Sequence, residues 1–271
     1  MVRAVRGSVA LERLTCPCVS AAYDMFEKVD AFVRDVTDVE TEADLKTLLG
    51  EITRDLGFSF FALAHHIDVR EVSRPAIRLH NYPSNWESYF EEQKLGRADP
   101  VHRASQLTTV GFRWARLSGM IEMTARDRTI LDKAARHGIG DGFTVPAHIP
   151  GDTNGSCSFA TRRGTPLPVE NLASAQLVGA YAFEAARLLT NRRGGRRREA
   201  PHMSARQRDC LIWVARGKAD SEIATILGIS QETVHQYVKQ TRAAFDVVSR
   251  SQLVAQALFD GTISFLDVHA R

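Results

Sequence analysis

The chain has 271 residues, of which 44% are hydrophobic and 25% charged, with a formal net charge of +3. This composition excludes a disordered chain, and the length suits one large domain plus a small one. Apolar runs such as Phe60–Ala64 fall far short of the roughly 20 residues that cross a bilayer, and no signal-peptide core follows the basic N-terminus, so no membrane association and a cytoplasmic location are expected.

No segment repeats at a fixed period, which argues against a solenoid. Four cysteines are too few and too scattered for a disulfide scaffold. Cys16 and Cys18 lack a second pair at zinc-finger spacing, so neither a metal site nor a cofactor is expected. The charge is uneven: from Asn191 onward there are 13 basic and 8 acidic residues, while the first 190 residues carry a net charge of −2. Arg192, Arg193, Arg196, Arg197 and Arg198 surround Gly194 and Gly195, the composition of a flexible basic linker. Such a linker serves equally as a solvated hinge or as a phosphate contact.

In chain order, residues 1–19 show no sustained period and read as a flexible extension. Helices are predicted over Ala21–Val36 and Thr41–Leu56; in the second, Leu45, Leu48, Leu49, Ile52 and Leu56 recur at helical spacing behind Thr41 as cap. Strands are predicted over Phe58–His66 and Ala76–Asn81, and a short helix from Pro83 to Gln93. Another helix covers Ala125–His137. Strands Gly142–Ile149 and Ser156–Arg162 flank the turn-rich segment 150–155. A long helix follows over Val169–Thr190, with Val178, Ala182, Ala185 and Leu189 on one stripe. Helices before, between and after turn-linked strands predict an α+β domain over residues 20–190, an α-β-α sandwich around an antiparallel sheet.

After a linker at 191–202, residues 203–271 read as a four-helix domain: Ala205–Arg216, Asp220–Leu227, Gln231–Phe245 and Ser251–Phe259. Ser204 and Gln207 have the spacing of a capping box. Ile223, Ala224 and Leu227 form a short buried stripe, Gly228-Ile229 turns the chain, and Ser230 caps a longer helix, which is the grammar of a helix-turn-helix. Val234, Val238, Thr241 and Phe245 share the packed face of that helix. The opposite face carries His235, Gln236, Lys239 and Arg242, donors suited to base edges in a major groove, although an ordinary solvated face has the same residue types.

The segments Ser204–Leu211, Ala215–Lys218, Glu222–Ala224, Leu227–Ser230 and Thr233-Val234 resemble the LuxR-type helix-turn-helix signature. The resemblance implies base contacts by His235, Gln236 and Lys239, and phosphate contact by Thr233 and nearby basic side chains. Gln207 stands where the family usually has Glu, and Tyr237 where many members have His. Upstream, Asn81–Trp86, Asp99–Val101, Trp114, Gly142–Pro146 and Gly155–Ser158 resemble the autoinducer-binding domain of LuxR-type quorum-sensing receptors. A phosphoacceptor receiver domain, the other common input to such a helix-turn-helix, has no counterpart in the sequence.

The resemblance implies an N-acyl-homoserine lactone ligand. Trp86 would donate to the ring carbonyl and Asp99 would accept the amide N–H. Tyr82 and Ser158 would hold the amide carbonyl, and Trp114 would wall the lactone end. The family usually has Tyr where Phe90 stands, so a hydroxyl is missing there if Phe90 lines the pocket. The implied partners are the autoinducer, a second copy of the chain, and double-stranded DNA bearing an inverted repeat. A regulator of the same architecture that ignores ligand, or answers a non-lactone molecule, is the alternative. Catalysis is not expected: His65-His66-Ile67-Asp68 lacks metallo-lactonase spacing, and no G-x-S-x-G is present.

Overall fold

The computed structural model describes residues 17–66, 76–149, 154–193 and 201–269. Most of the expected N-terminal extension, the core of the 150–155 turn and most of the basic linker lie outside these residues. In chain order the elements are α1 (Pro17–Thr37), α2 (Glu42–Asp55), β1 (Phe60–His65), β2 (Arg78–His80), α3 (Ser84–Glu92), α4 (Pro100–Ser105), β3 (Phe112–Arg113), α5 (Leu117–Met120), α6 (Ala125–Arg136), β4 (Ile139–Ala147), β5 (Gly155–Arg162) and α7 (Leu172–Arg193). The C-terminal part comprises α8 (Ala205–Ala215), α9 (Asp220–Leu227), α10 (Gln231–Phe245), α11 (Arg250–Phe259) and α12 (Phe265–His269).

The five strands form one antiparallel sheet in the order β2-β1-β5-β4-β3. Because side chains alternate across a strand, each strand supplies two surfaces. Phe61 pairs with Phe159 and Phe159 with Phe143, and with Leu63, Leu79, Val145 and Cys157 they turn to one face. There they meet Val29, Phe32 and Val36 of α1, Leu45, Leu49 and Ile52 of α2, and Ala175, Val178, Ala182 and Leu189 of α7 in one core. The expected stripes of α2 and α7 are buried in this core, Leu48 only partly. The opposite face carries Ala62, Ala64, Thr144, Ser158 and Ala160 beneath α3, α4 and α6. Helix, sheet and helix are therefore layered as the sequence predicts.

Several boundaries move. The first helix begins at Pro17 rather than Ala21, since proline is compatible with a first helical turn. The expected strand Ala76–Asn81 shrinks to three residues, and at its end the Asn81 side chain adds to the backbone pairing: its Oδ1 accepts from the Phe61 amide at 2.7 Å and its Nδ2 donates to the Ser59 carbonyl at 3.2 Å. That clamp fixes the corner carrying Tyr82 and Pro83 into α3. The long helix opens as a 3-10 turn, Val169–Asn171, before becoming α-helical at Leu172. Helices α4 and α5 and strand β3 were not expected from the sequence; at two to six residues they are too short for a periodic signal.

One ion pair locks α4 to α6. Arg103 donates to both carboxylate oxygens of Asp127, at 2.8 and 3.0 Å, and to the Glu122 carbonyl at 3.1 Å. Asp127 is buried and closes a capping box with Thr124. Burial pushes its carboxyl upward, but the Thr124 amide and hydroxyl and the Arg103 guanidinium outweigh this and hold it below the usual carboxylate range. The folded carboxyl therefore binds its proton less readily than the unfolded one, so this contribution is complete above about pH 4 and fades as acid titrates the folded group. Replacing Arg103 by Leu should lower stability in urea at pH 7 by about 2 kcal/mol and shrink the loss seen as pH falls below about 4; an unchanged acid profile would remove this ion pair from the account.

In the C-terminal part, α9, the turn at Gly228 and α10 make the helix-turn-helix. Gly228 takes a left-handed φ of 65°, where a side chain would add strain. The expected capping box at Ser204 and Gln207 is present in both directions, at 2.9 and 3.3 Å. Asp220 ties three helices together: Arg250 of α11 pairs with it while also donating to the Lys218 carbonyl at 2.8 Å, and His235 of α10 lies 3.5 Å from it. A fifth helix, α12, follows the four expected ones. Arg216 holds it by donating twice to the Asp267 carbonyl, at 2.9 and 2.7 Å.

Candidate functional site

Between the open sheet face and α3, α4 and α6 lies a cavity of about 110 Å³. That is several times the space one water needs. All six residues that the sequence proposes for ligand contact, Tyr82, Trp86, Phe90, Asp99, Trp114 and Ser158, line it. The remaining wall is chiefly apolar, from Ala62, Ala64, Val101, Ile130, Leu131, Ala134 and Ile139, with Arg78, His80, Glu87 and His102 as its polar members. An apolar chamber with a few convergent polar groups is the usual character of a small-molecule site.

Each polar group is held by its element. Trp86 sits on the first turns of α3 and is 6% exposed, packed between the rings of Tyr89, Phe90 and His137, each centred 5.8 Å away. Its indole N–H takes none of the hydrogen bonds among the described residues. Asp99 is the N-cap of α4, with Pro100 in the first turn: its Oδ1 accepts from the Val101 amide at 2.8 Å, leaving Oδ2 for another donor. The turn role that Asp-Pro suggests in isolation and a place in the cavity wall thus coexist in one carboxylate. Burial, and then the nearby Asp99, push the Tyr82 phenol well above its ordinary range, so it stays protonated and can donate.

Trp114 spends its indole N–H within the protein, donating to Thr144 Oγ1 at 2.9 Å, and Thr144 in turn meets Ser158 Oγ at 2.8 Å. Thr144 and Ser158 face each other across β4 and β5, so this relay crosses the cavity floor. Sequence reading missed Thr144 although it lies within the quoted Gly142–Pro146 run; the alternation of β4 was the available signal. It also missed Arg78 and His80, which share a face of β2, and His102, three residues beyond Asp99.

Gly142 makes room for this arrangement. A Cβ there would lie 2.5 Å from Trp114 Cε2, closer than any such contact tolerates, and the fused ring has no flexible end to give way. Replacing Gly142 by Ala should drive the Trp114 ring into the cavity and weaken ligand binding at least tenfold with a smaller effect on folding, measured by ligand titration beside a melting curve; unaltered affinity would show that the ring has another escape.

The proposed DNA-facing residues divide. Gln236 and Lys239 are exposed on α10, with Gln236 donating to Glu232 Oε1 at 3.0 Å. His235 is 56% exposed on its side chain and lies beside Asp220. Thr233 is partly buried at the helix start, its hydroxyl 2.7 Å from that of Ser230. Arg242 is half-buried and donates to the Val248 carbonyl at 2.7 Å, which draws its guanidinium toward the end of α10. The packed face is as expected: Val234, Val238, Thr241 and Phe245 are all buried.

Comparison with known proteins identifies the family. Residues 41–186 match the family model described as the autoinducer binding domain, and residues 201–257 match that of bacterial regulatory proteins of the luxR family. The chain belongs to the LuxR family, autoinducer-responsive transcriptional regulators that bind DNA through a helix-turn-helix. It is 26% identical to the transcriptional activator protein AhyR of Aeromonas hydrophila over 238 residues, covering 86% of this chain and 90% of the relative. It is 26% identical to the transcriptional activator protein TraR of Rhizobium radiobacter, covering 80% and 91%. Among solved structures, Escherichia coli SdiA superposes with a TM-score of 0.65 at 22% identity, covering 88% of this chain and 98% of SdiA. SdiA in complex with octanoyl-rac-glycerol gives 0.63 at 23%. The family is one of regulators rather than enzymes. Among the described residues no helix is long and apolar enough to cross a membrane.

Proposed function

We propose that this regulator senses an N-acyl-homoserine lactone in the cavity between residues 20 and 190, and reads an inverted-repeat operator as a dimer through residues 203–271, with 191–202 as a basic linker. The observation that carries the reading is the convergence of Trp86, Asp99, Tyr82 and Ser158 on one apolar chamber. A lactone amide offers a ring carbonyl, an amide N–H and an amide carbonyl. An indole donor, a carboxylate acceptor, a phenol and a serine hydroxyl match those three groups in chemical sense. In this assignment Trp86 donates to the ring carbonyl, Asp99 Oδ2 accepts the amide N–H, and Tyr82 and Ser158 meet the amide carbonyl. Trp114, anchored by Thr144, walls the lactone end, and Phe90 gives the acyl chain an apolar neighbour.

Exposed apolar side chains on two adjacent helices, Tyr23 and Phe26 of α1 and Leu177, Tyr181 and Leu188 of α7, support pairing of two copies, because such patches are seldom left bare. Two-fold pairing presents two copies of α10 to half-sites about one helical turn apart. Lys239 and Gln236 are the best placed to reach bases, and Thr233 the backbone. Arg242, tied to Val248, serves the helix end at least as much as DNA.

Each polar ligand atom stranded without a partner costs roughly 1–3 kcal/mol. Trp86→Phe, which keeps the ring and loses the N–H, and Asp99→Asn should each raise the half-maximal lactone concentration in a reporter assay by tens of fold; a response within twofold of the parent would end the assignment. The ligand panel should include octanoyl glycerol, the molecule in the SdiA complex, because activation by it and by no lactone would favour the non-lactone reading. Lys239→Ala should cost roughly 1–3 kcal/mol of operator affinity and relax preference at one base pair, as read by gel shift on a set of singly substituted operators.

A further inference from the structure

Beyond the groups matched to the lactone head, the cavity wall holds two imidazoles, His80 of β2 and His102 of α4. In each, one nitrogen faces a group that only accepts. His80 Nε2 lies 3.0 Å from Glu87 Oε1, and His102 Nδ1 lies 2.8 Å from the Gly96 carbonyl. Both of those nitrogens must carry the proton, which leaves His80 Nδ1 and His102 Nε2 as bare lone pairs in the neutral rings. His80 Nδ1 is buried without a hydrogen-bond partner, and His102 Nε2 takes none of the hydrogen bonds among the described residues. Burial also lowers the affinity of His80 for a second proton, against the opposing pull of Glu87. Among the described residues the cavity wall thus holds two imidazole acceptors without protein partners, His102 beside Val101 and Phe90, and His80 beside the charged Arg78 and Glu87.

We infer that His80 and His102 select an acyl chain bearing a hydroxyl group, and that the preferred ligand class is the 3-hydroxyacyl-homoserine lactones. The inference rests on the lactone reading above. A hydroxyl can donate to a bare imidazole nitrogen. A 3-oxo group has no proton to give and sets one lone pair against another, and an unsubstituted chain leaves the acceptor without a hydrogen bond. The third carbon is favoured by position: His102 follows the Asp99 cap by three residues, about 5–6 Å between Cβ atoms on one helix face, and the 3-substituent lies two carbons beyond the amide that Asp99 holds. His80 approaches from the opposite wall. It pairs in register with Ala62, which pairs with Ser158, so one cross-strand row joins it to the amide site. The small side chain of Ala62 between them leaves the row open.

The test measures half-maximal concentrations for thermal protection of the full-length chain in cell extract, using unsubstituted, 3-oxo and 3-hydroxy lactones of six, eight, ten and twelve carbons. At the best chain length the 3-hydroxy compound should act at about one tenth the concentration of either analogue. In His80→Phe and His102→Phe, the ratio between 3-hydroxy and unsubstituted ligands should fall at least threefold toward one, whatever happens to absolute affinity. Equal or better performance by the 3-oxo or unsubstituted series overturns the inference while leaving the lactone reading in place, as does a ratio that survives both substitutions. Should either variant fail to accumulate, the ranking in the parent chain still decides. If no lactone protects the chain, the lactone reading falls and this inference falls with it.

Discussion

A single antiparallel sheet must satisfy opposite demands on its two faces, and the rest of the N-terminal domain follows from how its residues are divided. One face interdigitates Phe61, Phe143, Phe159, Leu63 and Val145 with three helices, so it is packed and inflexible. The other is built from Ala62, Ala64, Gly142, Thr144 and Ser158, side chains too small to reach the helices above them. A cavity is the geometric consequence of short side chains on a rigid floor. The large core opposite keeps that floor from collapsing to fill the gap.

The walls are rigid for a different reason: they are tied by polar contacts, some local and some between elements distant in sequence. Asn81 clamps the corner ahead of α3, Asp99 caps α4, and Arg103 joins α4 to the buried Asp127 of α6. His80 with Glu87, and Arg78 with Glu91, lace the edge strand to α3 along the rim. Removing one partner from such a pair strands the other, so these contacts specify the geometry of the site more than they add net stability. The same contacts set hydrogen-bond polarity inside the cavity, because the partner of one imidazole nitrogen dictates what the other can do.

In the helix-turn-helix, Asp220 plays the organising part. It stands in the first turn of α9, where the helix dipole favours a carboxylate, and it gathers Arg250 from α11 and His235 from α10. Its contact with His235 adds to the buried face of α10, Val234, Val238, Thr241 and Phe245, in seating that helix. Of the five polar residues proposed to meet DNA, those without structural commitments elsewhere, above all Lys239, are best suited to direct readout. Arg242 shows why composition alone misleads: a basic residue on the polar face of a helix is also a convenient donor for an adjacent carbonyl.

Much of this was legible in the amino-acid sequence, because the longer elements carry their own periodicity. The stripes of α2, α7 and α10, the caps at Thr41, Ser204 and Ser230, and the turn at Gly228 are local features that need no tertiary context. The six residues proposed for ligand contact were also within reach, since four aromatics, an aspartate and a serine at family spacing stand out against an apolar background. Tertiary structure alone decided the rest. Elements of two to six residues such as α4 and β3 form only when the sheet and α6 hold them, so their sequences carry no period of their own. His80 and His102 as cavity residues, and Thr144 as the support beneath Trp114 and Ser158, became visible through register: cross-strand pairing and one helical turn bring them to the site from positions 80, 102 and 144. Which nitrogen of an imidazole bears the proton depends on a partner 6 or 7 residues away in sequence, and no sequence pattern encodes that choice.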